Sequence, residues 1–434
     1  MCVSPGGVDY GRRRSIFEKH RAGSIPPGGY LADHSVILEQ ASWRQIDDEV
    51  HNLSSGLEWA LQHNRAAALR LAVAASRSLA NRGFVREART WIDRTLALPE
   101  ATAATIERAA LLYSRGITEF LVDQTSAAEL SMSRLLALSR DLDFVLGQAA
   151  AQYFLGRLAT LAGNASRAET NLEAAAAAFL EAGEIVDWGH VISVLAEVVM
   201  FRGDLQRSRA LHTQAMDRAL PLEQRHQMFC SLGGLAELAM VEGDYVNAQR
   251  LAEECLALCR QKNNPVETAW PLTCLGEIAT RRGDFAAAHA ALNEALALGR
   301  KTDSYWRVVI VRADFGDLAL AEGKPGEALR LYRESLPILL QRGILAHPQG
   351  SLRLACLASA TRQDEVAATL LGACSAAVAS GLEVLLPITQ ADFDRALAVT
   401  QSVLDPDAFE SAWATGRSLS PQTAVTCCLL YTSD

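Results

Sequence analysis

The segments RGDLQRS (202–208), EGDYVNA (242–248) and RGDFAAA (282–288) share one layout: a glycine, an aspartate, a large apolar residue and, five places after the glycine, a small one. Outward from them, RGFVREA (82–88), AGNASRA (162–168) and EGKPGEA (322–328) continue the series. The glycines Gly83, Gly163, Gly203, Gly243, Gly283 and Gly323 fall on a period of 40, and Asp123 and Gln363 occupy the remaining two of eight slots. With 29 glycines in 434 residues, eight random positions would hold about half a glycine, so six is a repeat and not chance. A glycine in this place supplies the left-handed end of one helix, and the aspartate after it is suited to cap the next. Each unit therefore reads as two helices, A before the turn and B after it.

Two further columns support the hairpin. Five residues after the glycine slot stand Ala88, Ala128, Ala168, Ser208, Ala248, Ala288, Ala328 and Ala368; seven before it stand Ser76, Gly116, Gly156, Ala196, Ala236, Gly276, Gly316 and Cys356. Small residues at fixed places on consecutive helices let their backbones approach closely. Leu155, Leu195, Leu235, Leu275 and Phe315 precede the second column and would fill the layer between neighbouring units. The composition agrees: 50% hydrophobic but 6% aromatic, dominated by alanine and leucine, which favour helix over strand. Length alone would suggest about three domains, but eight units of 40 residues point to a single array that buries its apolar faces by stacking.

The pattern of leucine then small residue in helix A, alanine in helix B and Gly-Asp between them resembles the tetratricopeptide repeat, in a longer version of about 40 residues. The resemblance covers residues 65–380. It implies an all-α chain, a right-handed superhelical solenoid of about eight helical hairpins with helical caps at both ends. The early tryptophan of the shorter consensus is mostly missing, and the second and eighth units lack the turn glycine. The expected organisation is an irregular arm over 1–37, an N-terminal helical cap over 38–64, the solenoid over 65–380, a C-terminal helical cap over 381–426 and a non-native tail over 427–434.

Both caps resemble a particular kind of regulator. Glu49, Asn52 and Leu53 followed by Leu57, Trp59 and Ala60 are similar to the segment that opens the repeat region of bacterial signal-transduction ATPases, including MalT-like and LuxR-type transcriptional activators. Phe393, Arg395, Phe409, Trp413, Gly416, Arg417 and Leu419 resemble the closing segment of the same regulators. The resemblance implies a ligand-sensing or protein-interaction region, with the ATPase and DNA-binding domains elsewhere in a longer protein; a stand-alone scaffold binding a basic peptide is the alternative.

Charge and motif content narrow the chemistry. Lys plus Arg total 41 against 50 Asp plus Glu, a net charge of -9, which disfavours nucleic acid and anionic membranes as partners. Arg12 to Arg14 is a basic triplet read as solvated. The N-terminus lacks the apolar core of a signal peptide, no run reaches a membrane span, and the nine cysteines are scattered, so a cytoplasmic location is expected. No phosphate-binding loop, His-Glu-x-x-His or Gly-x-Ser-x-Gly is present, so no catalytic residue and no cofactor are expected. Cys230, Cys255, Cys259 and Cys274 come from neighbouring helices, but without a Cys-x-x-Cys knuckle they read as small core residues, and no metal is expected.

The candidate site is a column. Six residues before the glycine slot stand Arg77, Ile117, Arg157, Glu197, Glu237, Glu277 and Asp317, on the face of helix A that lines the concave groove in tetratricopeptide proteins. Four successive carboxylates within a Debye length or two of about 8 Å would draw a basic peptide, a protein or a small cationic inducer. Arg77 and Arg157, with Tyr113 and Tyr153 four residues before the column, would suit anions or aromatic anchors at the other end. Trp270 and Trp306 open A helices and are either anchors or interlayer packing. A solvated face alone would also make the column polar.

Overall fold

One backbone device ends every described A helix that carries a turn glycine. In the fourth repeat the N–H of Gly203 donates to Met200 O (2.8 Å) and that of Asp204 to Val199 O (3.2 Å), with Gly203 at φ 87°. The same pairing recurs at Gly163, Gly243, Gly283 and Gly323, with φ between 71° and 82°. An L side chain is strained there, and glycine is not. The next residue caps helix B: the carboxylates of Asp204, Asp244 and Asp284 accept the N–H of Arg207, Asn247 and Ala287 at 3.0, 3.1 and 3.1 Å. Asp284→Ala is expected to lower stability by about 1 kcal/mol, read from the urea midpoint at unchanged slope.

The computed structural model describes residues 40–81, 84–99, 103–122, 124–222, 224–261, 265–302, 305–341, 347–379, 384–419 and 423–424. Among them stand nineteen α-helices and no strand. The expectations for the 1–37 arm, the 427–434 tail, Gly83, Asp123 and the side chains of Arg77 and Trp306 lie outside the described residues. Contacts divide the chain into two units, one of residues 1–155 and 174–190, the other of residues 156–173 and 191–434.

The first unit contains α1 (Gln40–His63), α2 (Arg65–Asn81), α3 (Val85–Leu96), α4 (Ile106–Leu121) and α5 (Thr125–Asp141), with the adjoining parts of α6 (Val145–Leu161), α7 (Ala165–Glu181) and α8 (Ile185–Phe201). Leu57, Leu79, Trp91, Ile92 and Leu111 join α1 to α4 in one core. Between α4 and α5 the helices meet at Gly116, where an added Cβ would lie 2.6 Å from Met132 Cε.

The second unit takes the remainder of α6 to α8 and continues with α9 (Leu205–Ala219), α10 (Arg225–Val241), α11 (Tyr245–Gln261), α12 (Pro265–Arg282), α13 (Phe285–Lys301), α14 (Tyr305–Ala321), α15 (Pro325–Gln341), α16 (His347–Ala360), α17 (Asp364–Ala379), α18 (Pro387–Val403) and α19 (Pro406–Ser418). Its hairpins close by size matching between helix A and the residue sixteen places on. Gly156, Gly276 and Gly316 leave room for Leu172, Leu292 and Tyr332, whose atoms lie 2.8, 2.6 and 2.4 Å from an added Cβ. In the fifth repeat Ala236 stands where these glycines do and Ala252 where their partners do, both in one buried cluster. The two positions trade size: a large side chain lies over each glycine, and in the fifth repeat an alanine stands at both places.

The eighth repeat departs from its expected register. Arg362, at φ 62°, takes the left-handed position expected of Gln363, and Gln363 N–H donates to Ala358 O at 2.9 Å. Helix α16 thus ends one residue early, and the fully buried Ala355, not the half-buried Cys356, fills the small position. Beyond it, α17 and α19 cross where Gly372 meets Trp413 O and Gly416 meets Thr369 O. Trp413 packs on Phe393 and Phe409, with ring centroids 6.4 and 5.5 Å apart.

Candidate functional site

Glu197, Glu237, Glu277 and Asp317 stand at one position of α8, α10, α12 and α14, all within the second unit. Glu197 is exposed and the others are half-buried. Burial nevertheless pushes Glu197 up to about 7, against the pull of Arg157. Burial pushes Glu237 up to about 8, and the negative charges of Glu197 and Glu277 add to it. Burial also raises Glu277, with Arg281 and Arg353 opposing. Desolvation and like-charged neighbours both disfavour the ionised carboxylate, and at Glu237 the two act together.

The strip is less acidic than its sequence. Asp317 lies 2.7 Å from Arg353 and accepts a hydrogen bond from the Tyr332 hydroxyl at 2.5 Å. Glu277 lies 3.7 Å from Arg281, whose guanidinium bonds Asp392 of α18 at 2.7 Å. Two of the four carboxylates of the column are therefore charge-compensated, and among the described residues no salt bridge is made by the other two, Glu197 and Glu237. Asp314, one turn before Asp317, belongs to the same cluster. Burial pushes it up to about 8, Arg353 opposes and Asp317 adds, and its Oδ2 has no hydrogen-bond partner. Burial works against the charge of Arg353, but Asp317 and Asp314 more than offset it and its net shift is upward.

The chain's own C-terminal region covers the neighbouring turn of these helices. Leu386 is buried among Met200, Leu238 and Val241, with Ile388 packed beside it. The Asp392 to Arg281 bond holds the start of α18 to α12.

The other expected site residues are placed differently. Tyr113 and Tyr153 are buried in the first unit, edge-on to Phe154 at 5.5 and 5.3 Å, so their rings fill the core instead of offering anchors. Trp270 is half-buried and packs on Phe229 of α10, against the gap left by Gly233. Interlayer packing is its role here. Arg157 lies near enough to Glu197 to favour its charge. Arg281, Asp314, Tyr332, Arg353 and Asp392 were not expected at the site. Arg281 was accessible to reasoning, standing four residues after Glu277 on the same helix face; Asp392 was not, being 111 residues from its partner.

The tetratricopeptide repeat pattern matches residues 227–301 and 267–341. No curated protein matches the sequence. Among solved structures, a Rap protein complexed with competence and sporulation factor is similar, with 12% identity and a TM-score of 0.55 over 83% of this chain and 96% of that one. Aspartyl phosphate phosphatase F from Bacillus subtilis is 11% identical, with a TM-score of 0.53 over 88% of this chain and 95% of that one. A signal transduction ATPase with numerous domains, carrying a tetratricopeptide repeat sensor, from Pyrococcus horikoshii is 13% identical over 76% of this chain and 52% of that one, with a TM-score of 0.43. The first two likenesses are of fold: helical hairpins of the tetratricopeptide type.

Proposed function

We propose that the A-helix face of the second unit is the binding groove of a non-catalytic sensing module, and that its partner is a basic peptide segment. The observation that carries this is Glu237, flanked by Glu197 and Glu277 and held up to about 8 by burial and by their charges. A cationic side chain placed there would relieve the repulsion and restore ionisation together. Binding would release protons, so affinity should rise with pH through the range of about 7 to 8 where Glu197 and Glu237 titrate.

Fluorescence anisotropy with an Arg/Lys-rich peptide and an acidic peptide of equal length tests this. Tighter binding of the basic peptide at about pH 8.5 than at about pH 6, and a loss of about tenfold or more in Glu237→Lys, are expected. Equal binding of the acidic peptide, or an affinity indifferent to Glu237→Lys, sinks the proposal.

The larger setting we propose is the regulatory region of a bacterial signal-transduction ATPase of the MalT-like, LuxR-type kind. Its support is the pair of sequence resemblances around Glu49 to Ala60 and Phe393 to Leu419. A reading frame upstream of the locus that encodes a phosphate-binding loop would support it, and a complete gene without one favours a stand-alone scaffold.

A further inference from the structure

His226 and Cys230 stand one turn apart on α10, and Glu267 stands in the first turn of α12. Glu267 Oε1 lies 2.6 Å from His226 Nδ1, and His226 Nε2 lies 3.5 Å from Cys230 Sγ. A carboxylate at Nδ1 accepts that nitrogen's proton as a hydrogen bond, so in the neutral imidazole the lone pair is on Nε2. The lone pair then faces the thiol. The side chain of His226 is 27% exposed and Cys230 is half-buried, so the pair is not sealed in the core.

The other described thiols provide the contrast. Cys255, Cys259 and Cys274 are buried. Hydrogen bonding to Cys259, then burial, pushes Cys255 up. Burial raises Cys274, and Glu237, Glu277 and Asp314 add to the shift. Cys356 is half-buried like Cys230, yet burial and then Asp392 and Asp317 push it up to about 12. Only Cys230, among the described half-buried thiols, has an oriented imidazole as its hydrogen-bond partner.

We propose that Cys230 is a reactive thiol that forms a mixed disulfide with one half of a low-molecular-weight disulfide, with His226 as its base and Glu267 as the residue that positions the base. His226 Nε2 takes the thiol proton. The Cys230 thiolate attacks one sulfur of the disulfide, the new S–S bond forms as the old one breaks, and the departing thiolate recovers the proton from the imidazolium. Cys230 is thereby oxidised to a mixed disulfide and the departing half is reduced to a thiol, so the small disulfide is itself the oxidant.

Acyl transfer is disfavoured by position. Cys230 lies inside α10, where neighbouring amides are committed to helix hydrogen bonds and are not free to form an oxyanion hole. Cys230 precedes Glu237 by seven residues, two turns along the same helix face, so the adduct would project beside the acidic column. The inference stands whether or not that column binds a basic segment.

The test is to treat the native chain with oxidised glutathione, and separately with iodoacetamide, and to locate the adduct by mass spectrometry. The first adduct is expected on Cys230, and Cys230→Ser should remove it. His226→Gln should slow the reaction about tenfold or more near pH 7, with the gap closing above about pH 10, where thiols ionise without help. Glu267→Gln should slow it less and leave the form of the pH profile intact. Modification of Cys356 as fast as of Cys230, or an unchanged rate in His226→Gln, overturns the proposal. If His226→Gln loses its helical circular dichroism, the wild-type profile decides. A rate near its plateau at about pH 7 supports the proposal, and a tenfold rise per pH unit to about pH 9 overturns it.

Discussion

Gly416→Ala is expected to remove about 3 kcal/mol or more from the stability of the second unit, at or above the upper end for an overpacked core. The added Cβ would fall 1.9 Å from Thr369 O and 3.0 Å from Ala373 N, both backbone atoms of α17. A rotamer change cannot relieve a clash with backbone, so α19 must move away as a body. Gly372 meets α19 in the same way, its added Cβ 2.4 Å from Trp413 O. Separation would open the packing of Trp413 on Phe393 of α18, while Phe409, on α19 itself, would move with it. Gly326 is the control: its added Cβ meets nothing within 4 Å, so Gly326→Ala should be neutral or stabilising by up to about 1 kcal/mol. Urea unfolding of the two variants, with proteolysis of the 406–418 segment as a local probe, gives the comparison. Equal midpoints would show that the crossing is not under constraint.

Arg353→Met is expected to cost about 3 kcal/mol near neutral pH, because it leaves Asp317 without its cation and removes the charge that opposes the upward shift of Asp314. The deficit should depend on pH in a definite direction. Asp314 is pushed up to about 8, above its unfolded value, so its favourable contribution is complete at acid pH and lost as pH rises through about 8. Glu237 and Glu197, raised to about 8 and about 7, act in the same sense. The wild-type protein should therefore melt at a higher temperature at about pH 5.5 than at about pH 8.5, and Arg353→Met should widen that difference. Adding Asp314→Asn to Arg353→Met should recover part of the loss. A melting temperature that rises with pH, or a second substitution without effect, would remove this cluster from the account of stability.

The helical hairpins and the column of carboxylates were legible because both are periodic. Glu197, Glu237, Glu277 and Asp317 share a position within the repeat, and a repeat that packs the same way each time returns its side chains to the same face. What accompanies them is not periodic. Arg353 reaches Asp317 from α16, and Asp392 reaches Arg281 from α18. The same limit applies to Tyr113 and Tyr153. Their spacing from the column matches a groove wall, but the ring of Phe154 lies against both and draws them into the core. His226 and Cys230 were readable as neighbours on a helix, whereas Glu267 completes the set only through the packing of α10 against α12.

The amino-acid sequence by itself determined the helices, their turns and the hairpin. Those depend on interactions within a few residues: a left-handed glycine, an aspartate cap and small residues at matched places. Only the tertiary structure decided which carboxylates keep an unshared charge, which aromatics are buried and which cysteine meets an imidazole. Each of those outcomes depends on the local dielectric and on a partner brought from a distant part of the chain, and periodicity carries no information about either.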